Sequence, residues 1–564
     1  MNATQAIAKI SKPVLAGTWF IVLATVAAYW PVFSAGFIWD DDAYVTNNPL
    51  LTAPDGWGRI WFSAHTQSQY FPLVFSTLRL ENSIWGLNPL GYHLVNVALH
   101  IANALLIWAL LRRLALPGAW LAAAMFALHP VQVETVAWVT ELKNTESTLF
   151  YLLALFAWLN FFAGKGFKFY ALALFTLALA LFAKTTACTF PAVALLLAWL
   201  GGEPLPRCRI FQVLPFLAMG LGMGLVSVWW EGHLGNYDSQ LHLLGGPLDR
   251  ILIASRALWF YAGKIFWPAE FIFTYPHWEI DASDWRQYVW PFLCLGLVAL
   301  LWLARKKLDR RVPLALLFFA IVLSPMLGFV PLFTFYLSYV ADHYQYFACL
   351  GLLALFAGAA EKLAARLACP FTVQIVFALG LLFGLGQATW NQCHAYASLE
   401  ALWLDTLKKN PRAWMADTNL GWLRVEQGDL AAGEQCYLAA LAIHPDDAIL
   451  RYNYANLLAR TGRLPEAVEN YQAGIKLSPG KAEIHSNLGA VYFRLKAYAA
   501  AADEFRAALK IKPLETSYHF NLGSVLAAQT QTNAAAEEYR RTLEIDPQFE
   551  PAKKRLQALG GSAN

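Results

Sequence analysis

Residues 146–201 read ESTLFYLLALFAWLNFFAGKGFKFYALALFTLALALFAKTTACTFPAVALLLAWLG. Three apolar runs, near 146–163, 167–183 and 186–201, are separated by Gly164-Lys165-Gly166 and by Lys184-Thr185. A helix of about 20 apolar residues crosses a bilayer, and connections this short allow only an antiparallel return. Working outward, the same reading adds segments near 14–33, 90–111, 119–139, 211–230, 288–304, 312–330, 344–360 and 371–389, eleven in all. The chain of 564 residues is 58% hydrophobic and only 14% charged, whereas a soluble domain carries about 25% charged residues. That composition describes an all-α membrane protein with a more polar tail.

The connections set an orientation. With the N-terminus inside, the inner loops carry Lys9, Lys12, Arg112, Arg113, Lys165, Lys168, Arg207, Arg209, the cationic run Arg305–Arg311, Lys362 and Arg366, as the positive-inside rule requires. The run near Val14–Phe33 is long for a signal-peptide core and has no A-x-A cleavage site, so it reads as a retained span. The stretch Asp249–Trp267 sets Arg250, Arg256 and Lys264 opposite Leu252, Leu258 and Trp259. It reads as an amphipathic helix lying in the outer interface, not as a twelfth span. Eleven spans put the tail outside.

The tail repeats itself. Pro411, Pro445, Pro479, Pro513 and Pro547 are 34 residues apart. At fixed offsets follow Asn419, Asn453, Asn487 and Asn521, then Gly421, Ala455, Gly489 and Gly523, then Tyr437, Tyr471, Phe505 and Tyr539. This period is that of the tetratricopeptide helix–turn–helix. The expected organisation is a membrane domain at 1–390, a linker at 391–411, and a repeat domain at 412–564 with units 412–445, 446–479, 480–513 and 514–547. The usual role of such a solenoid is peptide binding in its concave groove.

The polar residues next to the apolar runs are the candidates for chemistry. Asp40-Asp41-Asp42 opens the first outer loop; adjacent carboxylates raise one another's pKa and call for a cation, a metal or a proton to abstract. Glu134 lies inside an apolar run, where a carboxylate marks either a functional site or a salt bridge. Lys184 sits at an outer span end, suited to binding a phosphate or to reaching the interface, and Lys143 lies in a short outer loop, either solvated or facing the same phosphate. His129-Pro130 ends or kinks a helix, with His129 a secondary ligand candidate. Asp342-His343-Tyr344 opens a span, with Asp342 either a site residue or an N-cap. The seven cysteines have no metal or disulfide spacing, and a net charge of +4 gives no sign of nucleic acid.

An ordered set of motifs carries a resemblance. Trp39-Asp40-Asp41, Asn47-Asn48-Pro49, Tyr70-Phe71-Pro72-Leu73, Asn88-Pro89 with Tyr92-His93, Asn96 and His100, His129-Pro130-Val131 with Glu134 and Val136-Ala137-Trp138, Lys184, and Ala341-Asp342-His343-Tyr344 resemble the membrane O-mannosyltransferases that carry tetratricopeptide repeats, and their bacterial relatives. The resemblance implies a C-type glycosyltransferase fold, a polyprenyl-phosphate sugar donor at the outer face, and a carboxylate base in the first outer loop. Asp40 and Asp41 fall on the family's acidic pair and Asp42 is an addition. Phe71, Leu142 and His343 stand where relatives often have Arg, which leaves Lys143, Lys184 and His343 to bind the donor phosphate.

The expected function is therefore inverting transfer of a mannose-like or other hexose to Ser or Thr of an extracytoplasmic protein held by the repeats, in a bacterial inner membrane. Two alternatives stand beside it: transfer to an envelope glycan or lipid, and a non-catalytic scaffold anchoring the repeats. The triple Asp, with Glu134 as an auxiliary, would suit Mg²⁺ or Mn²⁺. A reporter fused after Gln392 should behave as extracytoplasmic; cytoplasmic reporter activity there would sink the eleven-span topology.

Overall fold

The computed structural model describes residues 12–63, 69–200, 207–233, 245–330 and 333–560. Lys9 and the side chains of Lys12, Arg207 and Arg209 lie outside the described residues. Among those described there is no strand, and the chain divides into two compact units, Met1–Asn410 and Pro411–Asn564.

The first unit begins with α1 (Lys12–Ala28), α2 (Gly56–Phe62), α3 (Pro72–Trp85), α4 (Pro89–Arg113), α5 (Ala119–Leu128) and α6 (Val133–Ala137). It continues with α7 (Leu142–Phe162), α8 (Phe167–Ala183), α9 (Phe190–Leu200), α10 (Arg207–His233), α11 (Pro247–Phe266) and α12 (Val289–Ala304). It closes with α13 (Arg311–Leu323), α14 (Leu350–Arg366), α15 (Phe371–Cys393) and α16 (Leu399–Lys409). Each of the eleven apolar segments carries a helix of its own. Among the described residues, five are long and apolar enough to cross a membrane by themselves: 89–113, 139–162, 210–230, 285–304 and 371–396. Apolar side chains of α12 and α15 face outward, including Leu295, Leu303, Val376 and Phe383, as hydrocarbon surroundings permit and water does not. The amphipathic helix α11 buries Leu252, Ile253, Ala257 and Tyr261 against the unit.

One expected span is broken. The segment read at 119–139 is helical only to Leu128, where Pro130 cannot continue the hydrogen-bond ladder. The chain then runs through a 3₁₀ turn (Pro130–Gln132), the short α6 and a second turn (Val139–Glu141) before α7. Every residue from Ala122 to Thr148 is buried. Irregular backbone at membrane depth is tolerated only where protein satisfies it. Here Asn96 Nδ2 donates to the carbonyls of Trp138 (3.2 Å) and Val139 (3.3 Å), and Glu141 N donates to Trp138 O. Glu134 consequently stands in a short buried helix rather than in mid-span.

The stretch 391–411 is not a bare linker. It holds the end of α15, a turn at His394–Tyr396 and α16, which buries Leu402, Trp403 and Thr406 in the first unit. Its apolar residues at helical spacing give it a face to bury.

The second unit is four helix pairs: α17 (Trp414–Glu426) with α18 (Leu430–Ile443), α19 (Ala448–Arg460) with α20 (Leu464–Leu477), α21 (Ala482–Arg494) with α22 (Tyr498–Ile511), and α23 (Thr516–Ala528) with α24 (Thr532–Ile545). A last helix, α25 (Glu550–Ala558), buries Ala552 and Leu556. The periodic glycines and aromatics are partners: a Cβ on Gly421 would sit 2.9 Å from Tyr437, one on Gly489 3.0 Å from Phe505, and one on Gly523 2.8 Å from Tyr539. Gly523→Leu should therefore destabilise the repeats by about 1–3 kcal/mol through overpacking, read as a lower unfolding midpoint by circular dichroism. Gly480→Ala, where nothing lies within 4 Å, should leave it unchanged.

Candidate active site

The acidic loop is shaped by a backbone turn. Trp39 has φ +49°, a left-handed conformation that costs a bulky residue energy, and its ring is held edge-on by Phe273 and Trp403. The turn sends the next three carboxylates in different directions. Asp41 is fully buried and accepts from Ile38 N (2.9 Å), Thr140 N (2.9 Å) and Thr140 Oγ1 (2.5 Å). It staples the loop to the Val139–Glu141 turn. Asp42 is exposed and accepts from Thr46 Oγ1 within its own turn. Asp40 keeps Oδ1 without a hydrogen-bond partner. Burial pushes the Asp40 carboxyl up to about 6, with Lys143 pulling it back and Glu141 adding to the rise. Burial pushes Asp41 to about 7 against the pull of its donors.

Next to this loop two lysines and a histidine meet one carboxylate. Glu141, fully buried, lies 2.8 Å from Lys143 Nζ, 3.7 Å from Lys184 Nζ and 3.8 Å from His343 Nε2. Asn144 ties the group together: it donates to Glu141 and to His343 O (3.1 Å), and accepts from Lys184 Nζ (2.8 Å). Glu134 holds His343 from behind, with Oε1 3.0 Å from Nδ1 and Oε2 accepting from the His343 backbone N (3.0 Å). Lys143 also lies over the rings of Tyr44 and Trp138.

Lys143, Lys184, His343 and Tyr344 form the polar end of a cavity of about 470 Å³. Gln69, Tyr70 and Phe71 form part of its wall, and Leu217, Leu221, Leu225 and Val228 of α10 make an apolar side. Leu221 and Leu225 are themselves largely exposed, so this side opens to the surroundings of the unit.

Several expected residues fall elsewhere. His129 is a helix cap, not a ligand: Nδ1 accepts from Val131 N and Nε2 contacts Ile265 O. Asp342 is buried under Tyr275, whose hydroxyl donates to both carboxylate oxygens, and does not line the cavity; its side chain makes no N-cap bond. The helix read at 249–267 does not line the cavity either. Its Tyr261 accepts from Ala341 N and its Ile265 meets His129, so it braces the segment that enters the Asp342–Gln345 turn from outside. The three aspartates diverge, and among the described residues no group of three or more His, Cys, Asp or Glu is arranged to hold a metal.

Sequence reasoning missed Glu141, Asn144 and Thr140. The available signal was a carboxylate two residues before Lys143, in the same short connection.

Models of the tetratricopeptide repeat match residues 397–448, 436–469, 455–496, 482–514 and 516–549. The tail is a tetratricopeptide-repeat domain. Among curated proteins, Protein O-mannosyl-transferase TMTC2 of Homo sapiens is 34% identical over 154 residues, 25% of this chain and 18% of that protein. Protein O-mannosyl-transferase Tmtc1 of Drosophila melanogaster is 31% identical over 194 residues, 32% of this chain and 22% of that protein. Protein O-mannosyl-transferase TMTC3 of Mus musculus is 30% identical over 156 residues, 26% and 17% respectively. The chain is similar to these transferases, and the matches span about a fifth of their length. Solved structures that match include MamA (16% identity, 27% of this chain and 84% of that one, TM-score 0.25) and YrrB, described as a TPR protein with an unusual peptide-binding site (18%, 28% and 82%, TM-score 0.27).

Asp40 and Asp41 should separate in a stability measurement. Asp41→Asn turns an acceptor facing three donors into a mixed group and leaves a donor facing a donor, at a cost of about 1–3 kcal/mol. Asp40→Asn, with an unpartnered oxygen, should leave the thermal unfolding midpoint in detergent within about a degree of wild type.

Proposed function

We propose that the membrane unit is an inverting glycosyltransferase that moves a mannose-like hexose from a polyprenyl-phosphate donor to a Ser or Thr hydroxyl of an extracytoplasmic protein held by the repeats. The observation that carries the reading is the cavity, with two lysines and a histidine at its head and an apolar side along α10. That shape suits an anionic amphiphile. The names of the O-mannosyl-transferase relatives support a protein acceptor.

In this reading Asp40 accepts the proton of the acceptor hydroxyl as its oxygen attacks the anomeric carbon. The bond between that carbon and the phosphate oxygen breaks in the same displacement, which inverts the configuration. The polyprenyl phosphate leaves with the electron pair, and its charge is met by Lys143, Lys184 and His343. Glu134 and Glu141 hold those cations in place before the donor arrives, and Tyr344 lies at the sugar end, donating to Thr334 (2.5 Å). Asp41 and Asp42 orient the loop. The membrane is a bacterial inner membrane, with donor site and repeats on its extracytoplasmic side.

Purified protein, a polyprenyl-phosphate mannose and an acceptor peptide test the reading. A positioned base supplies about 10²–10⁴-fold in rate, so Asp40→Asn should lose at least about 100-fold in turnover with donor affinity nearly unchanged. The base must be ionised to act. Wild-type turnover should therefore be low in acid and rise with pH through about 6. Gly224, where an added Cβ meets nothing within 4 Å, lines the same cavity. Gly224→Phe should raise the donor KM and spare turnover at saturation. Wild-type turnover in Asp40→Asn would overturn the assignment of the base.

A further inference from the structure

The first unit has a second apolar cavity, of about 160 Å³, remote from the cation cluster. Leu155 in its wall lies 12 residues along α7 from Lys143, about 18 Å at the helical rise. The remaining wall comes from the end of α4, the Leu116-Pro117 turn, α9, α13 and α14. At its mouth stand Arg311 and Lys362.

The void is framed by close contacts and does not reflect loose packing. A Cβ on Gly351 would lie 2.4 Å from Ala315 O, and one on Gly358 3.2 Å from Pro117. Gly118 N donates to the Glu361 carboxylate, which ties the α4–α5 turn to α14. Walls this close cannot collapse inward without moving helices, and interiors are otherwise packed to crystal density. An apolar cavity of about 150 Å³ stays dry and takes up hydrocarbon.

The mouth adds a charge. Asp309 lies 2.7 Å from Lys362 Nζ and 3.9 Å from Arg311 NH1. One carboxylate serves two cations, whose side chains remain 48% and 39% exposed. Arg305, Lys306, Lys307 and Arg310 precede them in the chain. Hydrocarbon room behind a mouth where these cations outnumber Asp309 and Glu361 is complementary to one kind of molecule, a lipid with an anionic head.

We propose that this cavity binds one anionic membrane phospholipid, an acyl chain entering between α4, α13 and α14 and the phosphate resting on Arg311 and Lys362. The site does not depend on the glycosyl-transfer reading. None of its residues lines the donor cavity.

Native mass spectrometry of the full chain in detergent tests it, with phosphatidylglycerol and phosphatidylcholine of identical acyl chains offered at equal concentration. Wild type should retain one phosphatidylglycerol over phosphatidylcholine by at least about tenfold, equivalent to about 1.4 kcal/mol. The double variant Arg311→Gln/Lys362→Gln, altered only at exposed side chains, should lose most of that preference. Ala354→Phe puts a ring into the cavity and should lose the retained lipid. Equal retention of both lipids by wild type, or an unchanged preference in the double variant, would overturn the proposal. So would full retention in Ala354→Phe, which would put the lipid on another surface.

Discussion

Glu141 is a carboxylate without access to water, and it stays charged there because Lys143 lies 2.8 Å away with Lys184 and His343 just beyond. Removing an ion from water costs several kcal/mol, repaid only when opposite charges and hydrogen bonds surround it. The dependence runs both ways. Lys143 and Lys184 are equally buried and would repel each other without the carboxylate between them. Asn144, in the first turn of α7, donates to Glu141 Oε2 and accepts from Lys184. The broken helix from His129 to Glu141 exists to deliver this carboxylate, and its irregular backbone survives because Asn96 and the surrounding helices satisfy it.

The acidic loop depends on the same turn. Thr140, one residue before Glu141, gives both its backbone N–H and its hydroxyl to Asp41. The loop and the cation cluster are thus two sides of one short segment, and a shift in either moves the other. Three adjacent carboxylates with similar intrinsic chemistry acquire different environments: one saturated with donors, one in solvent, one half-buried with an oxygen that accepts no hydrogen bond. The strained conformation at Trp39 separates them. Backbone strain of this kind persists only where surrounding packing over-determines it, here through Phe273 and Trp403.

The second unit follows a different logic. Three of the four repeats bury the aromatic ring on a glycine of their own first helix, the second having Ala455 there, and neighbouring repeats extend one core through Tyr437, Tyr454, Tyr471 and Leu488. Stability of this type sums over adjacent units.

The sequence by itself determined the elements whose partners are near in the chain. The apolar runs fix a helical membrane unit because they are long and continuously apolar, and a helix satisfies its own backbone in hydrocarbon. The 34-residue period fixes the repeats because Gly421 and Tyr437 meet within one helix hairpin. Asp40 and the lysines were visible as charges out of place beside apolar runs. Only the tertiary structure decided what those charges face. Asp41 finds its donors 99 residues away, and Glu134 holds His343 from 209 residues away. Asp342 is turned from the cavity by Tyr275, 67 residues before it. Burial and long-range pairing set a carboxylate's role, and neither leaves a mark on the residues beside it in the chain.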